Sequence, residues 1–281
     1  MSVADYRRDL DVALDAARAA GEVVMSFFKA TYDVRDKGGT NGEENPVTTA
    51  DLAANAVLKE RLLGAFPEDG WLSEETADST ERLARSRVWV VDPIDGTKEF
   101  ILGIPQFSIS IGLAIDGVPA VGVILNPARG EMIAGARGIP PTLNGSPERP
   151  TSTAELAKAV CLASRTECEK GWFERYVQKG DFARVEPLGS VAYKLGLVAI
   201  GRGDLSFSLT PKNEWDLAGG AAILASAGLS MTDCNGATIR YNKPDPAVAG
   251  CIAANAALMH GLQALIAREI ADWRRDKKEA P

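Results

Sequence analysis

Histidine is almost missing from this chain: among 281 residues there is one, His260, in an Ala/Leu-rich segment near the C-terminus. A histidine-based zinc centre or a Ser-His-Asp triad needs imidazoles that are not there, and the ordinary reading of His260 is a satisfied core or surface side chain. Cysteine is scarce too. Cys161, Cys168, Cys234 and Cys251 form no C-x-x-C pair, so they read as reduced, mostly buried thiols. No apolar run approaches the roughly 20 residues of a membrane-spanning helix. The first ten residues are charged and lack the apolar region of a signal peptide, so a cytoplasmic protein with no membrane contact is expected. Positive charge is short: 31 Lys and Arg stand against 38 Asp and Glu, a net charge of −7. A nucleic-acid-binding face needs the opposite balance. An acidic protein that handles anionic substrates needs local positive charge, and bound metal ions are the usual source. No internal repeat or low-complexity stretch is present.

What is present suits a soluble globular fold with a sizeable core, in one large or two smaller domains: 46% hydrophobic and 25% charged residues. The chain is organised around residues 88–100. Val88, Trp89, Val90 and Val91 make a short buried strand. Asp92 stands where that strand is expected to end, because Pro93 lacks the N–H that would continue the ladder. Asp95 follows, Gly96 permits a tight course, and Thr97 opens a short helix. Two carboxylates beside backbone N–H groups suit a hard divalent cation and a phosphate; the same residues also suit an ordinary pair of Asp-Pro and Asp-Gly turns.

Helical spacing marks 5–28, and 33–46 reads as a mobile loop rich in Gly, Asn, Asp and Glu. Thr48 or Thr49 caps a helix running to about residue 66, with Asp51 in its first turn, where the helix dipole alone would favour a carboxylate. Glu74 and Glu75 read either as a solvated face or as ligands, ahead of a charged helical stretch at 80–87. Residues 107–115 alternate as a half-buried strand does, Asp116-Gly117 signals a hairpin, and strands are expected at 118–125 and 131–136. Four prolines at 139–150 make a boundary. Beyond it strands at 160–164, 205–209 and 248–253 alternate with helices at 169–178, 191–200, 217–227 and 255–274. The pattern is a mixed α/β sandwich, divided as 1–145, carrying the first acidic motifs, and 146–281, carrying a Trp-Asp motif. The small residues that follow Trp215-Asp216 would let that helix approach a second element closely, so Asp216 could reach the same point as Asp92, Asp95 and Glu74.

Four segments resemble one family. Asp92-Pro93-Ile94-Asp95-Gly96-Thr97 is similar to the first signature of the inositol monophosphatase superfamily, and Trp215-Asp216-Leu217-Ala218-Gly219-Gly220 to its second. Glu74-Glu75 stands where the family carries its acidic pair, and the segment from Pro46 to Asp51 resembles its N-terminal Pro-Val-Thr-x-x-Asp. The resemblance implies a layered αβαβα sandwich and a Mg²⁺-dependent, lithium-sensitive phosphomonoesterase using two to three ions. It implies that Glu74, Asp92 and the Ile94 carbonyl hold one metal, that Asp92, Asp95 and Asp216 hold a second, and that a third lies near Glu74 on waters. Thr97 with Asp51 would activate the attacking water, and the Gly96 and Thr97 N–H groups would hold the phosphate. The partner implied is a small phosphate ester; a homodimer is common among relatives, and some members bind transcription machinery.

Two segments lean toward the 3′(2′),5′-bisphosphate nucleotidases. Thr97-Lys98-Glu99-Phe100 is similar to their sequence at this point, and the stretch from Gly189 to Lys194 resembles their Gly-Ser…Lys segment, which implies that Ser190 and Lys194 meet adenosine 3′,5′-bisphosphate together with Asp216. Lys194 could equally be a surface lysine. Leu209 replaces the acid that inositol phosphatases place seven residues before the second-signature Asp, which weakens inositol 1-phosphate as the substrate. Gly219-Gly220 and the Ser190–Lys194 spacing depart from the usual pattern.

Overall fold

A computed structural model describes residues 3–38 and 46–279. Helix α1 (Val3–Phe27) opens the chain. Strands β1 (Val34–Asp36) and β2 (Pro46–Thr48) then pair antiparallel, so the stretch 33–46 expected to be a mobile loop is a strand at both ends; its residues 39–45 lie outside the described residues. Helix α2 (Thr49–Ala65) starts from a capping box in which Thr48 and Asp51 satisfy each other's backbone N–H groups.

A seven-stranded sheet follows, in the order β3 (Gly70–Ser73), β4 (Arg87–Asp95), β5 (Ser108–Ile115), β6 (Val118–Asn126), β7 (Glu131–Ala136), β8 (Ile139–Leu143) and β9 (Ser146–Pro147), with α3 (Thr97–Ile101) between β4 and β5. Only β3 and β4 run parallel. Strand β4 does not stop at Pro93. It passes through a bulge, pairing Asp92 with Ser110 and Asp95 with Ser108, and a bulge is one of the places where a sheet tolerates a missing donor. Strand β5 is buried on both faces rather than one, because helices cover the sheet from each side. The Pro-rich stretch at 139–150 carries β8 and β9, which finish the sheet at its edge, where a missing N–H costs least.

The second half builds a five-stranded sheet and its helices: β10 (Val160–Ser164), α4 (Arg165–Glu169), α5 (Glu174–Lys179), β11 (Arg184–Leu188), α6 (Val191–Ala199), β12 (Leu205–Ser208), β13 (Lys212–Asn213), α7 (Glu214–Ser226), β14 (Ser230–Thr232), β15 (Ala247–Val248), β16 (Cys251–Ala254) and α8 (Ala256–Glu279). The sheet order is β11-β10-β12-β16-β14, with β13 and β15 a separate pair. The helix expected at 169–178 is instead two short ones, α4 and α5, and 80–87 holds a 3-10 turn at Thr80–Ala84.

Three apolar clusters fill the gaps between layers. One lies between α1/α2 and the large sheet, one between the two sheets around α6 and α7, and one between the small sheet and α5/α8. The architecture is thus helix–sheet–helix–sheet–helix. Helix α7 lies unusually close to the large sheet. A Cβ on Gly122 of β6 would stand 2.1 Å from the Gly219 carbonyl oxygen, so the sheet and the helix touch backbone to backbone. That approach delivers the N-terminus of α7 to the end of β4.

Candidate active site

Asp92, Asp95 and Asp216 converge. Each offers a carboxylate oxygen, and these oxygens all lie within 4.8 Å of one another. Asp92 accepts from the Ile94 N–H at 2.9 Å, which folds the bulge of β4 around its carboxylate. Asp95 leaves the end of the same strand and is held by Ser190 Oγ and the Ala192 N–H, both at 2.6 Å. Asp216 sits in the first turn of α7 and accepts from the Asn213 N–H at 2.8 Å. Asp51 does the same at the start of α2, accepting from the Thr48 N–H at 2.7 Å. Each capping carboxylate keeps a second oxygen for other work.

Thr97 opens α3 after Gly96, whose φ of 96° suits glycine. Its hydroxyl lies 3.0 Å from the Ile94 carbonyl oxygen and 3.3 Å from Asp51 Oδ1, and can donate to either. Glu74, following β3, is near the three aspartates but outside their tight group, and Lys37 bridges it to Glu75 at 2.8 and 2.7 Å.

Burial sets the electrostatics. It is the largest cause holding Asp92 well above the usual carboxylate range, followed by the charges of Glu74, Asp95 and Asp216. Asp216 is pushed up to about 7 by burial and then by Asp95. Asp51 and Glu74 are raised mainly by burial, with Thr48 opposing the first shift and Lys37 the second. Asp95 is also raised by burial, against Ser190 and Lys194. Mutually repelling, buried, all-oxygen donors are the chemistry of a hard divalent cation site, and Glu74, Asp92, Asp95, Asp216 and the Ile94 carbonyl fit that role.

The substrate-side expectations land as follows. Ser190 caps α6 at a φ of 58°, an uncommon backbone for a residue with a Cβ, and its hydroxyl touches Ser108 Oγ as well as Asp95. Lys194 is buried at 4% exposure, not on the surface; its ammonium donates to the Ser190 carbonyl at 2.8 Å and the Leu188 carbonyl at 3.2 Å. Two lysines were not singled out from sequence. Lys37 lies in the stretch read as loop, where no pattern marks it. Lys212, four residues before Asp216, donates to Thr210 Oγ1 at 2.6 Å, and its charge opposes the upward shifts of Asp95 and Asp216; its place just before the Trp-Asp motif was the available signal.

Comparison with known proteins gives the family and the fold. Residues 5–272 match the model of the inositol monophosphatase family. The chain is 36% identical over 239 residues to inositol monophosphatase 3 of Solanum lycopersicum, covering 81% of this chain and 86% of that protein. It is 32% identical over 235 residues to the 3′(2′),5′-bisphosphate nucleotidase CysQ of Escherichia coli K12, covering 83% and 93%. Among solved structures, a Thermotoga maritima inositol monophosphatase superposes with a TM-score of 0.80 at 26% identity, covering 94% of this chain and 98% of that one. The Anabaena inositol monophosphatase gives 0.77 at 28%, covering 94% and 97%. With its acidic centre assembled and this match along nearly its whole length, the chain belongs to the inositol monophosphatase family of phosphoric monoester hydrolases.

Proposed function

We propose that the protein hydrolyses the 3′(2′)-phosphate of adenosine 3′,5′-bisphosphate. The observation that carries this reading is Lys212. Its charge opposes the upward shifts of Asp95 and Asp216, it forms no ion pair among the described residues, and its ammonium, hydrogen-bonded to Thr210 Oγ1 and the Pro211 carbonyl, keeps a charge for an anion the metal site does not reach. A bisphosphate has such an anion, and an inositol monophosphate does not. Leu209 in place of an acid points the same way. The identity to the tomato enzyme favours inositol 1-phosphate as the second reading.

The family is Mg²⁺-dependent, and two to three ions would be held by Glu74, Asp92, Asp95, Asp216 and the Ile94 carbonyl. Bound Mg²⁺ supplies positive charge for the phosphate and the leaving oxygen, and acidity for a water. Asp51, raised by burial, can take the proton that Thr97 passes on as the Thr97 hydroxyl receives one from the attacking water. The Gly96 and Thr97 N–H groups hold the phosphate. Ser190 and Lys194 act through Asp95: the first by its hydrogen bond, the second by its buried charge.

The test is kcat/KM on adenosine 3′,5′-bisphosphate and inositol 1-phosphate side by side, with and without Mg²⁺. A preference for the bisphosphate of about tenfold or more is expected. A preference for inositol 1-phosphate would overturn the substrate. Failure to turn over any phosphoester would overturn the enzymatic reading in favour of a binding role.

A further inference from the structure

We propose that Gln106 is a positioning residue for the metal site: it holds the turn at Gly189 and Ser190 in the one conformation from which Ser190 and Ala192 fix Asp95. This rests on the reading of Asp95 as a metal ligand and does not depend on which phosphoester is hydrolysed. Asp95 Oδ2 is gripped from the second half of the chain, by Ser190 Oγ and the Ala192 N–H, each at 2.6 Å. That grip exists only while Ser190 keeps its φ of 58°. A residue with a Cβ stays in such a conformation only where its surroundings over-determine it.

The surroundings do so from three sides. Within α6, the Lys194 ammonium holds the carbonyls on either side of Gly189, those of Leu188 and Ser190. From β5, Ser108 Oγ lies 2.9 Å from Ser190 Oγ. The single Ser190 hydroxyl proton goes to Asp95, so Ser108 is the donor of that pair. Gln106, two residues earlier, supplies the third restraint: its Oε1 accepts the Gly189 N–H at 3.0 Å. The same oxygen accepts from Arg165 Nε at 3.2 Å and Nη2 at 2.6 Å. All three neighbours are donors, so the amide must turn its oxygen toward them, and the guanidinium keeps it there. The backbone is equally close. A Cβ on Gly189 would stand 2.4 Å from the Gln106 carbonyl oxygen, and one on Gly96 would stand 3.1 Å from the same atom. Gln106 thus ties together the turn after β4, the start of α4 and the start of α6, where the two halves of the chain share Asp95. Its side chain bonds Gly189 and Arg165 and none of the acids, so it acts through Ser190 and not on a ligand directly.

The experiment is a calorimetric titration of Mg²⁺, without substrate, into wild type, Gln106→Leu, Gln106→Glu and Asp95→Asn. Gln106→Leu keeps the bulk and loses the acceptor, and is expected to weaken Mg²⁺ binding by about tenfold or more, as loss of a group that orients a metal ligand does. Gln106→Glu still accepts from the Gly189 N–H and pairs with Arg165, so its affinity is expected to be no more than about threefold weaker than wild type. Affinity is read on folded molecules, so a loss of stability alone leaves it unmoved. If Gln106→Leu does not fold, Gln106→Asn, one methylene too short to reach Gly189, takes its place with the same expectation. Wild-type affinity in Gln106→Leu or Gln106→Asn would overturn the assignment and leave Gln106 a tie of the fold alone. Binding by Gln106→Glu as weak as by Gln106→Leu would also overturn it, because the acceptor would not be what matters. Wild-type affinity in Asp95→Asn would instead overturn the reading of Asp95 as a ligand.

Discussion

Asp51 and Asp216 solve the same local problem in the same way: each accepts a backbone N–H at the start of its helix with one oxygen and keeps the other for the site. An asparagine at 216 still offers a carbonyl oxygen to the Asn213 N–H, so Asp216→Asn should keep the cap and lose only the charge. We expect its kcat to fall about a thousandfold, and that of Asp95→Asn likewise, while thermal melts in EDTA show Tm no lower than wild type. A fall in Tm matching the fall in kcat would mean that the carboxylate holds the fold and not the metal. Lys212 makes the complementary prediction. A charged hydrogen bond contributes about 1.5–3 kcal/mol, so Lys212→Ala should lower kcat/KM for adenosine 3′,5′-bisphosphate by about 10–100-fold. Adenosine 3′-monophosphate, which lacks the second phosphate, should change by less than about threefold. Equal losses would assign Lys212 to the reacting phosphate.

At the scale of elements, the site depends on how closely α7 lies on the large sheet. A methyl on Gly122 would meet the Gly219 carbonyl oxygen at 2.1 Å, and a methyl on Gly112 the backbone of Ala218 and Gly219 at 2.7 Å. Neither neighbour is a flexible side-chain end, so helix and sheet must separate. Gly122→Ala should destabilise the protein by about 1–3 kcal/mol in urea melts, and the activity of the molecules still folded should drop as well, because Asp216 is carried off with the helix. Full specific activity in the folded fraction would show that the site does not need this contact. The small residues after Trp215 made that approach readable in the sequence, as the run from Val88 to Thr97 made the junction of β4 and α3 readable. Other features were not legible for physical reasons. The bulge that carries β4 past Pro93 is set by pairing with β5, which no local pattern encodes. Alternation in β5 suggested one wet face, yet a second helical layer buries it. Strand β3, four residues long, gives too little periodicity to see, and it is what places Glu74. Lys212 comes near the acids only because α7 is packed against the end of β4, and residue type alone does not announce that.

At the scale of the whole molecule, the five layers bring acids from opposite faces of one sheet to the end of its strand β4: Asp51 from α2 on one side, Asp216 from α7 on the other. Such a centre works against the fold until a cation joins it. Asp216 has an ordinary value near 3.8 and is pushed up to about 7 by burial and by Asp95, and burial likewise holds Asp92 well above its ordinary value. The folded form therefore keeps protons that the unfolded chain would release. For Asp216 the stabilising contribution is complete below about pH 4, the unfolded value, and is lost as pH rises through the folded value near 7, and the raised Asp92 acts in the same direction. Metal-free protein should accordingly show a Tm that falls between pH 5.5 and pH 8, and Asp216→Asn should flatten that fall. Mg²⁺ binds the ionised form and competes with the protons, so the same Mg²⁺ concentration should raise Tm more at pH 8 than at pH 5.5. Calorimetric titration near pH 7 should show protons released as the ion binds. A metal-free Tm that rises across this range, or a Mg²⁺ effect independent of pH, would mean that these carboxylates are ionised in the folded protein without the metal and that something other than the ion balances their charge.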